Sequence, residues 1–278
     1  NEEEKERQLR FKLIFINCMR KYFYLILVLL TISSCSTNPY RLSNKSYKKQ
    51  VKAYQKTIGN TFAKPLQNGS NPEWISTVNF NLRKPNFVVI HHTAQDSLQQ
   101  TLKTFTLTRT QVSAHYVISD DGTVVQMLND YLRAWHGGNA IWGKNTDINS
   151  ASIGIELDNN GSEPFSEAQI NSLVALLSRL KKDYSIPSAN FIAHSDIAPT
   201  RKSDPSAFFP WKNLAELGFG LWPDPQLEKA PDYFNIEQAL RIIGYDTRNL
   251  SSAIRAFKLH YIQSEVDDIL NEKTINTI

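Results

Sequence analysis

Three short apolar segments of this 278-residue chain each end in a residue with a reactive side chain. They are Phe87–His91, Ile153–Glu156 and Asn190–His194. Short apolar runs rich in Val and Ile are typical of buried β-strands. Because reactive groups in such sheets collect beyond the strand ends, the pattern predicts that two histidines and a glutamate meet at one edge of a sheet.

The loop that follows the third segment adds more polar groups. Residues 194–205 read HSDIAPTRKSDP, so a histidine, two cations and carboxylates lie on one loop that contains two prolines. A divalent metal binds such donors, and a metal that activates water needs a nearby cation to stabilise the developing negative charge. Both cysteines, Cys18 and Cys35, lie near the N-terminus. A zinc site elsewhere in the chain would therefore use histidine and carboxylate ligands.

The alternation of strand and helix signals defines the fold class. A hairpin is predicted over 114–126 around the Asp120-Asp121-Gly122 turn, and Leu98, Leu102 and Phe105 have helical spacing. A longer helix is predicted to begin after Ser166, with Gln169 completing a capping box. We therefore predict an α/β domain with a mixed central β-sheet flanked by helices.

The pattern of residues along the sequence changes after Trp211. A linker-like stretch, 218–225, contains two prolines and precedes three apolar patterns with helical spacing, at 236–243, 253–261 and 266–270. These patterns predict a small C-terminal three-helix module. The predicted boundaries are 72–222 for the main domain and 223–278 for the module, whose removal is expected to spare reactions on small soluble substrates.

The N-terminal region has the pattern of an export signal. Met19-Arg20-Lys21 is followed by an apolar run, 22–30, that is too short to span a bilayer, and residues 30–35 resemble a bacterial lipobox. This predicts an upstream extension over 1–18, a signal peptide over 19–34 and lipid attachment at Cys35. A tether over 35–71 is expected to contain one short helix around Tyr47–Thr57.

The overall charge narrows the range of partners. The net charge is +4 and no strong basic stripe is evident, so the sequence does not point to a nucleic-acid partner. A polyanionic wall polymer or a membrane surface remains compatible with it. The oligomeric state is open.

Five motifs follow one another along the chain: Val89–Ala94, Val112–Tyr116, Ala134–His136, Ser152–Glu156 and His194 with Arg201–Pro205. In this order they resemble the motifs of zinc-dependent N-acetylmuramoyl-L-alanine amidases, in the superfamily of T7-type lysozyme and the peptidoglycan recognition proteins. The resemblance extends from about Trp74 to Trp211. The C-terminal segment resembles a three-helix peptidoglycan-binding module.

This resemblance implies a zinc enzyme that hydrolyses the bond between N-acetylmuramic acid and L-alanine in peptidoglycan or muropeptides. It assigns His91, His194 and Asp204 as ligands of Zn²⁺, Glu156 as the general base, and Lys202 as the electrostatic partner of the tetrahedral intermediate. It also implies an exported lipoprotein at the periplasmic face of the bacterial outer membrane.

Several other residues are candidates for substrate binding. They are Thr93, Tyr116, Trp135 and His136, although residues such as Tyr116 and Trp135 more often pack than stack on sugars, and a core role is nearly as compatible with His136. His92 is expected to point to the other face of its strand, His115 is either a cleft residue or a core histidine, and His260 is expected at the surface.

Two alternative functions fit the sequence less well than the enzyme, because the three ligands, Glu156 and Lys202 that the resemblance assigns are all present. A wall-binding receptor of the same fold would have kept the cleft and lost catalysis, generally with the loss of a zinc ligand. A zinc peptidase would usually contain His-Glu-x-x-His, which is absent here.

Overall fold

The computed structural model describes residues 38–60 and 82–278, with short stretches of the first 20 residues. The chain divides into two compact units, Asn1–Trp74 and Ile75–Ile278. In the first unit, helix α1 (Arg41–Asn60) is longer at both ends than the helix predicted in the tether. Cys35 and residues 21–34 of the predicted signal peptide lie outside the described residues. No helix within the described part of the chain is long and apolar enough to cross a membrane.

The second unit is built on a five-stranded sheet. Its strands are β1 (Phe87–His92), β2 (Tyr116–Ile118), β3 (Val124–Gln126), β4 (Ser152–Leu157) and β5 (Phe191–Ala193). Its helices are α2 (Leu98–Thr106), α3 (Ile148–Ala151), α4 (Glu167–Tyr184), α5 (His194–Ile197), α6 (Trp211–Glu216), α7 (Ile236–Ile243), α8 (Leu250–Tyr261) and α9 (Glu272–Thr277).

The strand order is β3-β2-β4-β1-β5, and only the β2–β3 pair is antiparallel. The predicted mixed sheet is therefore confirmed. The hairpin turns at Gly122, whose φ of 84° favours glycine and whose N–H donates to the carbonyl of Ser119. A Cβ at this position would also lie 2.7 Å from the Ala168 carbonyl oxygen.

The two faces of the sheet are covered by different apolar clusters. On one face, Ile90 and Ile155 pack against α4 in a cluster that includes Leu173 and Leu177. On the other face, Val89 belongs to a second cluster, which also contains Leu240, Ala253, Ile254 and Phe257 of the C-terminal helices. Apolar residues therefore cover both faces of the parallel strands, which explains why these strands read as continuous apolar runs.

Helix α4 begins as the sequence predicts, but its cap differs in one respect. The Ser166 hydroxyl accepts a hydrogen bond from the Gln169 backbone N–H. The Gln169 side chain does not complete a capping box; it is buried and donates to the carbonyl oxygens of Ile118 and Asp158. It therefore joins the helix to the ends of β2 and β4.

The C-terminal helices lie in the same compact unit as the sheet. Helices α7 and α8 form where the sequence predicts them, and Gly244 ends α7 with a φ of 138°. The third helix is α9 rather than the predicted segment 266–270, which is irregular. The ammonium group of the buried Lys258 bonds to the Asp267 carboxylate and the Ile269 carbonyl, and these bonds hold that segment in a loop.

Candidate metal centre and active site

Parallel strand pairing brings the predicted reactive residues to one edge of the sheet. His91 on β1 lies opposite Glu156 on β4, and Ile90 lies opposite Ala193, the last residue of β5. His194 follows Ala193 directly as the first residue of α5. The expected meeting of two histidines and a glutamate at a sheet edge is confirmed.

His91, His194 and Asp204 form a buried group that could hold a metal ion. The Nδ1 atoms of the two histidines are 2.8 Å apart, and Asp204 Oδ2 lies 3.2 Å from His91 Nδ1 and 3.0 Å from His194 Nδ1. Ligand atoms around a tetrahedral zinc, at about 2.0–2.1 Å from the metal, are roughly 3.3 Å apart. The spacing and the chemistry of these three donors therefore fit such a metal.

Hydrogen bonds on the far side of each imidazole leave both Nδ1 atoms available as ligands. His194 Nε2 lies 3.2 Å from the carbonyl oxygen of Gly137, to which it donates. Arg201 donates to the same carbonyl at 2.7 Å and to the Asn139 carbonyl at 3.0 Å, so the Gly137 loop is fixed against the ring. A metal would displace any proton that the three ligand groups share.

His136 orients His91, the other candidate histidine ligand. His91 Nε2 is 3.0 Å from His136 Nδ1, and His136 Nε2 is 3.0 Å from the Ser152 hydroxyl. The Ser152 hydroxyl itself donates to the Ile148 carbonyl at 2.6 Å. It therefore accepts from His136 Nε2, which leaves His136 Nδ1 to accept the proton of His91 Nε2. This hydrogen-bond chain sets the tautomer of His91.

The position of His136 depends on a glycine in β4. A Cβ at Gly154 would lie 2.3 Å from Cγ of the His136 ring, so only glycine lets the ring pack against the strand. Asn149 Oδ1 accepts hydrogen bonds from the backbone N–H groups of His136 and Gly137. These contacts fix the ring and the adjacent loop together.

The environment of the site lowers the pKa of His91 and of Asp204. Burial, followed by repulsion from His194, lowers the pKa of His91 to about 4. Burial alone would raise the pKa of Asp204, but hydrogen bonding with His194 and His91 holds it well below its ordinary value. Burial also lowers the pKa of His136 well below its ordinary value, so this ring is neutral.

Glu156 lies beside the metal group without being part of it. Its Oε1 is 4.0 Å from His91 Nδ1, and its side chain is 12% exposed. Burial, reinforced by repulsion from Asp204, raises its pKa to about 8, whereas the positive charge of Lys202 acts in the opposite direction. Lys202 itself is exposed, on the loop after α5. The carboxyl group is therefore able to exchange a proton close to neutral pH.

The predicted substrate-binding residues occupy different environments. Trp135 is 48% exposed and immediately precedes His136. Thr93 follows β1, and its backbone N–H donates to the Leu157 carbonyl at the end of β4. His136 lies behind His91 as a hydrogen-bond partner rather than as an exposed cleft residue.

The structure does not bring Tyr116 to the metal centre. Val117, not Tyr116, pairs with Glu156, so the Tyr116 side chain points to the opposite face of the sheet. There it is buried, and its hydroxyl donates to Asp130 at 2.6 Å. Tyr116 therefore has a packing and hydrogen-bonding role on the α4 face.

The remaining histidines have structural partners. His115 is a core residue that accepts from the Gly154 N–H through Nδ1 and donates to the Leu132 carbonyl through Nε2. His92 accepts from the Ser206 N–H at 3.2 Å. The expectation that His260 is at the surface is wrong, because it is fully buried against Asp196.

Comparisons with known proteins agree with this geometry. Residues 81–207 match the family described as N-acetylmuramoyl-L-alanine amidase. The chain is 36% identical over 206 residues to N-acetylmuramoyl-L-alanine amidase AmiD of Escherichia coli (strain K12). The aligned region covers 63% of this chain and 74% of that protein. It is 41% identical over 103 residues to 1,6-anhydro-N-acetylmuramyl-L-alanine amidase AmpD of Enterobacter cloacae, covering 37% of this chain and 55% of that protein.

Two solved structures share the fold of most of this chain. One is the complex of AmiD from E. coli with the substrate anhydro-N-acetylmuramic acid-L-Ala-D-gamma-Glu-L-Lys, with a TM-score of 0.64, 30% identity, and coverage of 77% of this chain and 94% of that chain. The other is AmpDH3 from Pseudomonas aeruginosa in complex with anhydromuramic pentapeptide, with a TM-score of 0.64, 28% identity and coverage of 73% and 93%. Because the chain is 36% identical to AmiD across 74% of that relative's length, it belongs to the N-acetylmuramoyl-L-alanine amidase family.

Proposed function

We propose that this protein hydrolyses the amide bond between N-acetylmuramic acid and the L-alanine of peptidoglycan or muropeptides, with zinc as its metal. The observation that carries the proposal is the buried group of His91, His194 and Asp204 with Glu156 beside it. The family membership of the chain supports the substrate class.

The proposed reaction consumes one water. Its oxygen bonds to the carbonyl carbon, the C–N bond breaks, and the products are a carboxylate on the muramic acid and a free amine on L-alanine. When bound to three protein ligands, zinc supplies a Lewis acid that polarises the carbonyl and makes water more acidic.

Glu156 is proposed to move the proton. The carboxylate takes a proton from the attacking water and gives it to the leaving nitrogen. Burial and repulsion from Asp204 raise the pKa of Glu156 to about 8 and so favour the protonated form, whereas a nearby divalent cation would stabilise the ionised form needed at the start. The carboxyl group is thus suited to hold the proton between the two steps.

Lys202 is proposed to stabilise the negative charge on the carbonyl oxygen. Its charge already acts on Glu156 and His91 across the site. A donor in this role typically contributes about 3–4 kcal/mol in acyl-transfer enzymes. Thr93 and the exposed Trp135 remain proposals for contacts with substrate.

The experiment is to incubate purified protein with sacculi, with an intact disaccharide-peptide and with its 1,6-anhydro form, each with and without a chelator. Products are identified by mass. Release of the free peptide that chelation stops and zinc restores supports the proposal. Tight binding to sacculi without release of peptide would instead favour the non-catalytic receptor.

We also propose that the protein is exported and attached to a lipid at Cys35, at the periplasmic face of the outer membrane. The charged and apolar segments of 19–30 and the lipobox-like residues 30–35 support this. Labelling of the expressed protein with a radioactive fatty acid, with Cys35→Ala as the control, tests the attachment. Equal labelling of both forms would contradict it.

A further inference from the structure

One turn of the chain fixes the backbone of two metal-site residues. This turn, residues 193–198, is called the ligand turn here. It contains His194, and the backbone N–H of Ser195 donates to the carbonyl oxygen of Asp204 at 2.9 Å. A displacement of the ligand turn would therefore shift both His194 and Asp204.

A buried carboxylate holds the ligand turn. Asp196 is fully buried, and its Oδ2 accepts a hydrogen bond from the backbone N–H of Ala193 at 2.7 Å. Two further donors come from the C-terminal helical region: Tyr245 donates its hydroxyl to Oδ1 at 2.6 Å, and His260 Nδ1 lies 2.7 Å from Oδ2. An unpaired buried carboxylate is costly, so these donors determine where Asp196 can lie.

The His260 ring is itself held rigidly. It stacks on Trp211 with ring centroids 3.9 Å apart, and on Tyr261 with centroids 4.1 Å apart and nearly parallel planes. Tyr245 packs edge-on against Trp142. The two donors to Asp196 therefore belong to a packed layer between α8 and the ligand turn, with little freedom to follow a displaced carboxylate.

We infer that Tyr245 and His260 are positioning residues for the metal site, acting through Asp196 on the ligand turn. This inference rests on the proposed function as a zinc amidase. It means that the C-terminal helices are required for hydrolysis of small muropeptides as well as of polymeric wall. Their removal would take away both donors and uncover the apolar cluster that they share with the sheet.

The test uses His260→Phe, which keeps the ring stacking but removes the donor, and Tyr245→Phe, which removes only the hydroxyl. Loss of a partner bonded directly to a metal ligand typically weakens metal affinity by about 10–100-fold, and these donors act one step further away, through Asp196. We therefore expect a weakening of about tenfold in zinc affinity, measured by competition with a chelator. His260→Gln, which retains a donor, should recover part of it. Leu177→Ala, in the apolar cluster on the other face of the sheet, is the control for general destabilisation.

A second measurement does not depend on zinc or on activity. Amide hydrogen exchange of the metal-free, full-length protein should show a loss of protection at residues 193–198 in His260→Phe that Leu177→Ala does not reproduce. Zinc affinity within twofold of the unaltered protein and unchanged exchange in both donor variants would overturn the inference. If the unaltered protein binds zinc but cleaves no muropeptide, the proposed function fails while the inference stands on the exchange and affinity data.

A separate feature lies in the first unit of the chain. Although the sequence shows no strong basic stripe, the helical conformation of α1 brings its basic residues to one face, and the helix contains no acidic residue. Its exposed basic residues are Arg41, Lys45, Lys48, Lys49, Lys52 and Lys56. An apolar stripe with helical spacing, Tyr47, Val51, Tyr54 and Ile58, runs along the opposite side, and Tyr54 and Ile58 are 55% and 76% exposed.

We propose that α1 binds the surface of a membrane that contains anionic phospholipids. Helices with a low net hydrophobicity, a Lys-rich face and an apolar stripe lie in the plane of the interface, with the stripe toward the acyl chains and the cations near the phosphates. Complementary charge identifies the partner, since all charged side chains of the helix are positive. The helix also begins a few residues after Cys35, so a lipid at that position would hold it at a bilayer.

The test is co-sedimentation of the full chain with phosphatidylglycerol-containing vesicles and with neutral phosphatidylcholine vesicles. Cys35→Ala excludes any contribution from an attached lipid. A cation near an anionic surface adds about 1 kcal/mol, roughly a fivefold gain in affinity. Replacing Lys48, Lys49 and Lys52 by Gln should therefore weaken binding about a hundredfold, whereas Lys212→Gln with Lys229→Gln should leave it unchanged. Equal binding to both kinds of vesicle, or no effect of the helix substitutions, would overturn the proposal.

Discussion

Replacing Glu156 with Gln removes a buried acid whose ionisation the metal-free protein resists. The pKa of Glu156 is raised from its ordinary value of 4.5 to about 8, chiefly by burial and then by repulsion from Asp204. An acid with a higher pKa in the folded state binds more protons folded than unfolded, so rising pH destabilises the protein. Its stabilising effect is present below about pH 4.5 and is lost as the pH rises through about 8.

The size of the effect follows from the shift in pKa. Because one pKa unit corresponds to about 1.36 kcal/mol, ionising Glu156 in the folded metal-free protein costs on the order of 5 kcal/mol. Gln has nearly the same shape and no such penalty. The stability of Glu156→Gln relative to the unaltered protein should therefore increase by several kcal/mol between pH 5 and pH 8.5.

The assay is denaturant unfolding of chelator-treated protein at several pH values. Zinc provides a second reading, because a nearby divalent cation favours the ionised carboxylate. At pH 7 a group with a pKa of about 8 is roughly 90% protonated, so zinc binding should release about 0.9 more proton from the unaltered protein than from Glu156→Gln. Calorimetric titration in buffers of different ionisation enthalpy measures this difference.

Two results would refute this reasoning. Parallel curves of unfolding free energy against pH for the two proteins would show that Glu156 ionises without penalty. Loss of zinc binding in Glu156→Gln would show that the residue is a ligand and not the proposed base. With zinc retained, the amidase activity of the variant should fall by a factor of about 100 or more.

Further predictions concern the residues around Glu156. Alanine at any one of the three metal-site residues should abolish zinc retention, and stoichiometric zinc in all three variants by elemental analysis would reject the assignment. Gly154→Ala should displace the His136 ring and weaken zinc affinity by about 10–100-fold. The control is Gly143→Asn, whose side chain would enter open space and should leave zinc affinity unchanged. Equal zinc affinities of the two variants would mean that His136 does not orient His91. The Lys202→Ala variant should retain zinc and have a lower kcat. An unchanged kcat would show that Lys202 does not take part in the mechanism. Trp135→Ala should raise KM for muropeptides at constant zinc content, and an unchanged KM would leave this exposed ring without a role in binding.

The sequence by itself was sufficient to predict the framework of the site. The β-branched runs specify the parallel strands, since residues buried on both sheet faces must be apolar throughout. Parallel pairing then places the residues at the strand ends together, which is why His91, Glu156 and His194 meet as predicted. The helices α4, α7 and α8 follow equally from local caps and apolar spacing.

Only the tertiary structure decided which neighbours each polar side chain has. The register of β2 against β4 directs Tyr116 away from the metal centre, and no local signal fixes that register. His260 is buried because it meets Asp196, which lies 64 positions earlier in the chain. His136 reaches His91 only because Gly154 leaves room for its ring. Local patterns record how a segment packs on average, whereas these partnerships depend on contacts between distant segments, which form only when the whole unit has folded.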